Sequence, residues 1–376
     1  MTSFNPLFGW FSSSDIAQDA IAEQPAMPEL IYKPTAENND LIANIAQLHK
    51  PYSPLPWLNN CHLQIIALEL KSKLEKPLLY DAIETLTMPD GGQTALAWYG
   101  YDLPASAPTV VILHTITGDP DSMRTMVRDI HEYTGWRVVV AVRRGHADLE
   151  FDPPRFCMFG CTQDLKHQIN RIEQLFPQSP LYAIGSSAGS GLLVRYLGEE
   201  QNNARFKAAF AFCPGYNTDD GFERCHPFYS QFIAKKLIKV FIEPHQDKLQ
   251  HLTTLQPLKA AKDLLEFQQR VYEFSGYDSY QDYSRATNPI AVFKQVTKPL
   301  MLLNACDDPI CDIKNLEPYV ADLEQLSNFI VVKTQKGSHC AFLEGWQARS
   351  WAHRLMAEYF QAIQNHEPTS MNRRHS

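Results

Sequence analysis

Positive charge is scarce and scattered in this chain. Thirty-four lysines and arginines stand against 42 acidic residues, a net charge of −8, and no basic cluster is longer than a pair such as Lys235-Lys236 or Arg373-Arg374. A polyanion would meet repulsion, so nucleic acid is not an expected partner. Long apolar runs are missing as well. The longest uncharged stretch is about 20 residues, covering Leu175 to Val194, and contains Pro177, Pro180, three glycines and several serines. It cannot make a membrane-spanning helix. The N-terminus has Phe4, Leu7, Phe8, Trp10 and Phe11 but neither a positive leading region nor an extended apolar core. No cleavable signal is expected, and the segment reads as a loose arm, with a peripheral membrane contact through those aromatics as the alternative. Paired cysteine motifs are also absent. The eight cysteines are Cys61, Cys157, Cys161, Cys213, Cys225, Cys306, Cys311 and Cys340, and none forms a C-x-x-C pair. The 157/161 and 306/311 spacings lack the partner pairs of a zinc site, so neither a metal nor another cofactor is expected. Without a secretory signal the thiols are expected to be reduced, in a cytoplasmic setting. Cys340 is expected to be packing, since adjacent residues such as His339 and Cys340 rarely aim both side chains at one target.

What remains is a globular chain of 376 residues, enough for one large α/β domain with an insertion, or for two domains. Residues 1–50 read as an irregular N-terminal extension with one helical piece near Asn39 to Leu48. The proline-punctuated stretch Pro51 to Trp57 excludes a helix. Ala82 to Met88 and Gln93 to Tyr99 flank Pro89-Asp90-Gly91-Gly92, a hairpin signal. From Pro108 the pattern alternates. Buried strands are expected at Thr109 to Leu113, Arg137 to Val142, Leu181 to Ile184 and Lys207 to Cys213. Helical spacing separates them at Asp121 to Tyr133, Gln163 to Phe176 and Leu192 to Leu197. This alternation predicts an α/β fold with a mostly parallel sheet flanked by helices, and places function at the carboxyl ends of the strands. Residues 51–213 form the first part of that core. Residues 214–287 interrupt it with amphipathic helices, Pro227 to Glu243 and Leu264 to Phe274, which read as a helical lid. Residues 288–365 resume the core, with strands at Pro299 to Asn304 and Asn328 to Lys333 and a closing helix from Gly345 to Ile363. Residues 366–376 read as a disordered tail.

The stretch around Gly185-Ser186-Ser187-Ala188-Gly189 organises the chemistry. A strand enters it and a helix leaves it, the setting in which G-x-S-x-G is a nucleophile elbow. A sharp strand-to-helix reversal brings two backbones together, so the positions two before and two after the turning residue want glycine. Of Ser186, Ser187 and Ser190, only Ser187 has glycine at both. A serine hydroxyl needs a base, and the base needs a carboxylate. The chain order for this topology is Ser, acid, His. Asp308 follows the strand that begins at Pro299 and is favoured because Pro309 stiffens its loop; Asp307 and then Asp312 are the alternatives. His339 follows the strand that begins at Asn328, after Gly337-Ser338, whereas His353 lies on a helix and His366 and His375 lie in the tail. The oxyanion needs two backbone N–H groups, and Ala188 and Ile116 are the candidates. His114 and Asp119 also match H-x4-D, a two-residue pattern of little weight.

Several stretches together resemble the YheT-like group of α/β-hydrolases. They are Pro56-Trp57 with His62-Leu63-Gln64, Asp90-Gly91-Gly92 with Trp98, His114 to Gly118, Arg144-Gly145, Thr162 to Leu165, Gly185 to Gly189 with Arg195 to Gly198, Asn304 to Pro309, and Gly337 to His339. The group includes bacterial esterases, fungal medium-chain ester synthase/esterases, and animal members acting on monoacylglycerols and phospholipids. The resemblance implies an α/β-hydrolase fold with nucleophile Ser187, acid Asp308 and base His339. It further implies a small-molecule or lipid ester of short to medium chain as substrate. Two positions depart from the group: Thr115 stands where glycine usually follows the histidine, and Lys336 where a second glycine is usual. An ester hydrolase is the expected activity. An alcohol acyltransferase using the same triad, a peptidase, and a non-catalytic binding protein on a hydrolase fold are the alternatives.

Overall fold

The computed structural model describes residues 25–366. The N-terminal aromatics Phe4 to Phe11 and the tail after His366 lie outside the described residues. In chain order the elements are β1 (Glu29–Tyr32), α1 (Ala36–Ala43), α2 (Cys61–Leu74), β2 (Ala82–Thr87), β3 (Gln93–Tyr99), β4 (Thr109–Leu113), α3 (Arg124–Thr134) and β5 (Arg137–Val142). Then come α4 (Thr162–Leu175), β6 (Leu181–Ser186), α5 (Ala188–Glu200), β7 (Phe206–Phe212), α6 (Thr218–Arg224), α7 (Pro227–Leu237), α8 (Leu255–Lys259), α9 (Leu264–Arg270) and α10 (Tyr280–Thr287). The chain closes with β8 (Leu300–Ala305), α11 (Val320–Leu323), β9 (Phe329–Thr334), the short pair β10 (Leu343–Glu344) and β11 (Arg349–Ser350), and α12 (Trp351–Asn365).

Nine strands form one sheet in the order β1-β9-β8-β7-β6-β4-β5-β3-β2. The run from β5 through β9 is parallel, and β1, β2 and β3 join antiparallel at the two edges. Alternate residues of the central strands feed separate cores. Val110, Ile112, Val138 and Ile184 pack with Val127 and Ile130 of α3 and with Trp351 and Leu355 of α12. Val111, Val139 and Ala183 pack on the other face with Ile169 of α4 and Leu193 and Tyr196 of α5. Burial on both faces is why these strands read as continuous apolar runs. This is the α/β-hydrolase architecture that the resemblance implies, with a mostly parallel sheet flanked by helices. The residues between β7 and β8 build a third core around Leu237, Phe241, Phe267 and Tyr283, joined by Phe156 and Met158.

Local differences from the sequence reading have local causes. The expected irregular arm contains β1, whose four residues alternate: Leu30 and Tyr32 face one core and Ile31 the other. Its first helix starts at Ala36 rather than near Asn39 because the Thr35 hydroxyl caps it, accepting the Asn38 N–H at 3.2 Å. The Pro51 to Trp57 stretch does contain a 3-10 turn, Pro56–Leu58. Proline is tolerated there because the first helical N–H has no partner to lose. The helix α2 was left unassigned although Leu63, Ile66, Ala67 and Leu70 stand at helical spacing; of its side chains only His62 and Gln64 are buried. The expected helix from Pro227 to Glu243 is α7 followed by a π turn, Ile238–Ile242, and a 3-10 turn at Glu243–His245, where Pro244 ends regular bonding. The closing helix begins at Trp351 instead of Gly345, because β10 and β11 pair first and Ser350 caps the helix.

Candidate active site

The turn between β6 and α5 has the geometry expected of the elbow. Ser187 adopts φ 52° and ψ −116°, a conformation costing about 1–3 kcal/mol that surrounding contacts must hold. Its N–H donates to Phe212 O at 2.8 Å. A Cβ at position 185 would lie 2.5 Å from Gly189 O, and one at position 189 would lie 2.1 Å from Leu113 O. Backbone occupies the space that any side chain would need, so glycine is sterically required at both. The neighbouring serines are engaged elsewhere: Ser190 Oγ donates to Ser187 O at 2.5 Å, and Ser186 Oγ lies 3.6 Å from Cys340 Sγ.

Ser187 Oγ sits 2.8 Å from His339 Nε2, and His339 Nδ1 sits 2.8 Å from Asp308 Oδ2. The other Asp308 oxygen accepts the N–H groups of Ile310 and Cys311 at 2.8 and 2.9 Å, which fixes the carboxylate plane. The Asp308 side chain is 1% exposed and that of His339 11%. Burial alone would push the imidazole pKa down. Burial is the largest single influence, but the Asp308 carboxylate, Cys340 and Cys311 together outweigh it and hold His339 well above its ordinary value. Asp307 acts on the backbone instead. Its Oδ1 accepts the Ser338 N–H at 2.8 Å and so anchors the loop carrying the histidine. Asp312 caps a 3-10 turn through the Lys314 N–H. His353 pairs with Asp129 at 2.7 Å between α12 and α3, His366 pairs with Asp40, and His375 lies outside the described residues.

The loop after β4 is held from behind. The Arg143 guanidinium donates to Thr115 O at 2.5 Å, and His146 Nε2 lies 3.1 Å from Ile116 O. Both carbonyls are thereby tied away from the cavity that Thr115, Ile116, Ser187 and Ala188 line together. His114 Nε2 accepts the Arg143 N–H at 3.1 Å, whereas Asp119 closes a turn with Ser122, so H-x4-D is not one constellation. Burial, followed by the nearby Arg143 charge, lowers the pKa of His146 to about 4. It therefore stays neutral near pH 7, as it must to sit near a guanidinium. Arg143, His146 and the anchoring action of Asp307 escaped the sequence reading. The signal was their adjacency to motif residues, Arg144-Gly145 and Asp308. Arg144 itself is structural, chelating Asp164 through two nitrogens at 2.6 and 2.7 Å and reaching Asp90 at 2.7 Å. His62 Nδ1 lies 2.9 Å from Tyr229 OH and ties α2 to α7.

The cavity in front of Ser187 has a volume of about 500 Å³. Its walls are mainly hydrocarbon, from Ile65, Phe159, Phe228, Phe232, Ile233 and Ile310, with Glu69, Lys73 and Lys236 as charged members. All eight cysteines are free thiols. No helix among the described residues is long and apolar enough to cross a membrane.

Residues 108–345 match the family model described as alpha/beta hydrolase fold. The chain is 30% identical over 312 residues to the phospholipase ABHD3 of Bos taurus, covering 79% of this chain and 75% of that protein. It is 27% identical over 371 residues to the monoacylglycerol lipase ABHD2 of Homo sapiens, covering 90% of this chain and 86% of that protein. Among solved structures, the hyperthermophilic esterase from the archaeon Pyrobaculum calidifontis aligns with a TM-score of 0.51 at 16% identity, over 89% of this chain and 100% of that chain. At that identity the likeness concerns the fold alone.

Proposed function

Because the chain belongs to the alpha/beta hydrolase fold family, we propose that it is a serine carboxylester hydrolase acting on acyl esters of lipid character, short to medium in chain length. One observation carries this reading: a continuous hydrogen-bond path runs from Asp308 through His339 to the Ser187 hydroxyl and opens into a hydrocarbon-walled cavity. Relatives named as a monoacylglycerol lipase and a phospholipase support a lipid ester as substrate.

In this mechanism Ser187 Oγ attacks the ester carbonyl while His339 Nε2 takes its proton. Asp308 fixes the tautomer and stabilises the imidazolium that forms. The N–H groups of Ala188 and Ile116 receive the oxyanion, each worth about 3 kcal/mol in the transition state. His339 returns the proton to the leaving alkoxide, then activates water to release the acid. Ser187→Ala should lower kcat on a p-nitrophenyl ester by about 10⁶-fold. Undiminished turnover in that variant would reject the mechanism. The hydrocarbon walls would hold an alcohol's alkyl group as well as an acyl chain, which supports acyl transfer as a second reading. Product analysis in the presence of ethanol or glycerol separates ester synthesis from hydrolysis.

A further inference from the structure

His339 stands among thiols as well as carboxylates. Cys213, the residue after β7, meets Cys340 although 127 positions separate them. The Cys340 N–H donates to Cys213 Sγ at 3.2 Å, and Cys213 Sγ donates to Ser338 O at 3.8 Å. Consecutive residues in extended chain point to opposite sides. Here Ser338 at φ 53° and Cys340 at φ 59° coil the loop, so the imidazole and the next thiol share one space. Cys213 Sγ, Cys340 Sγ and a ring nitrogen of His339 all lie within 4.8 Å of one another. Zinc–sulfur and zinc–nitrogen bonds of about 2.3 and 2.0 Å put tetrahedral ligand atoms about 3.5 Å apart, a small adjustment from this arrangement. Distance along the chain hid the group, because no local spacing motif contains it.

We propose that Cys213, Cys340 and His339 form an inhibitory site for a thiophilic divalent cation of the zinc class. Two soft sulfurs and an imidazole select such a cation over magnesium or calcium. Asp308 and Cys311 also approach the imidazole, but that carboxylate already orients the ring, so the two-thiol set is the softer and freer one. Binding exchanges two thiol protons for two metal–sulfur bonds, with the fourth position left to water. The cation's nitrogen ligand is the base itself. Nδ1 is bonded to Asp308 and Nε2 to Ser187, so a metal on either nitrogen interrupts the path along which the serine proton moves. Metal occupancy and proton abstraction exclude each other. The inhibition rests on the proposed esterase activity; the binding does not.

The full-length protein, stripped with chelator, is titrated with Co²⁺ alone and read by absorption. A sulfur-to-cobalt charge-transfer band saturating at one ion per chain is expected, and Cys340→Ala and Cys213→Ala should each remove it. In parallel, p-nitrophenyl acetate turnover is followed in chelator-buffered Zn²⁺. Zinc should abolish it, EDTA should restore it, and Cys340→Ala should need at least about tenfold more zinc relative to its own metal-free rate. If Cys213→Ala fails to fold, Cys340→Ala decides alone. Absence of the band in the unmodified chain, or equal zinc sensitivity in Cys340→Ala, overturns the site. A thiolate band in a protein without esterase turnover upholds the site and removes the proposed function instead.

Discussion

At the scale of single residues, the two adjacent aspartates divide the work of placing one imidazole. Asp308 faces the ring, while Asp307 holds the backbone of the loop that carries it. Their substitutions should therefore separate. Asp308→Asn should lower kcat about 10⁴-fold through loss of tautomer control. Asp307→Asn keeps an acceptor for the Ser338 N–H and should cost far less. The same geometry sets the pH response. A base works only when neutral, and the folded pKa of His339 is raised. Activity should thus fall as pH drops through a value above 6.5, the unperturbed histidine pKa. The acidic limb of kcat/KM, measured in chelated buffer, checks this. A limb below 6.5 would contradict the charge arrangement around the ring. His146 should not contribute, since it is already neutral above about pH 4. Sequence order alone distinguished Ser187 from its neighbours, because glycine spacing is a local steric signature. It favoured Asp308 over Asp307 as the acid but gave Asp307 no role of its own, since its direction depends on how β8 and β9 present their loops.

At the scale of elements, legibility followed burial. The strands β4 and β5 were readable to the residue because both faces are covered and the sequence is almost uniformly apolar there. The helix α2 went unassigned although Leu63, Ile66, Ala67 and Leu70 recur at helical spacing. It borders the cavity with most side chains partly exposed, packs Leu63, Ala67 and Leu68 against Leu58 and Leu343, and is capped at its start. Asn60 accepts the N–H groups of His62 and Leu63 at 2.9 and 3.2 Å. Asn60→Ala should cost about 1 kcal/mol, seen as a lower urea midpoint at unchanged m-value. A shift indistinguishable from zero would mean that packing against α7 through His62 and Tyr229 fixes α2 without its cap. The edge strand β1 was lost for a reason of its own. Four residues are too few for alternation to stand out, and only pairing with β9 gives it meaning.

At the scale of the whole molecule, an acidic chain shows cationic and apolar groups on the two helices that wall the cavity. Leu70 and Leu74 of α2 are exposed, as are Phe232 of α7 and Val240 just beyond it. Lys73, Lys235, Lys236 and Lys239 lie on the same segments and are also exposed. Despite the exposed Glu69 among them, we propose that these segments make a peripheral contact with an anionic lipid surface, through which a substrate would leave the bilayer beside the cavity. Leu74→Glu with Val240→Glu should abolish flotation with vesicles of phosphatidylcholine and phosphatidylglycerol while leaving turnover of a water-soluble ester intact. Equal flotation of this double variant would exclude these segments as the contact.

The third hydrophobic core has a consequence for how such a protein diversifies. Many residues between β7 and β8 pack on one another, on Phe151, Phe156 and Phe159, and on Ala188 and Ile116 beside the nucleophile, while the elbow's tight fit is made with backbone of the sheet and its own helix. Mutations in the part of the roof that does not pack on Ala188 and Ile116 would therefore leave the elbow's fit in place. Selectivity becomes a replaceable part, open to drift in nature and to grafting in the laboratory.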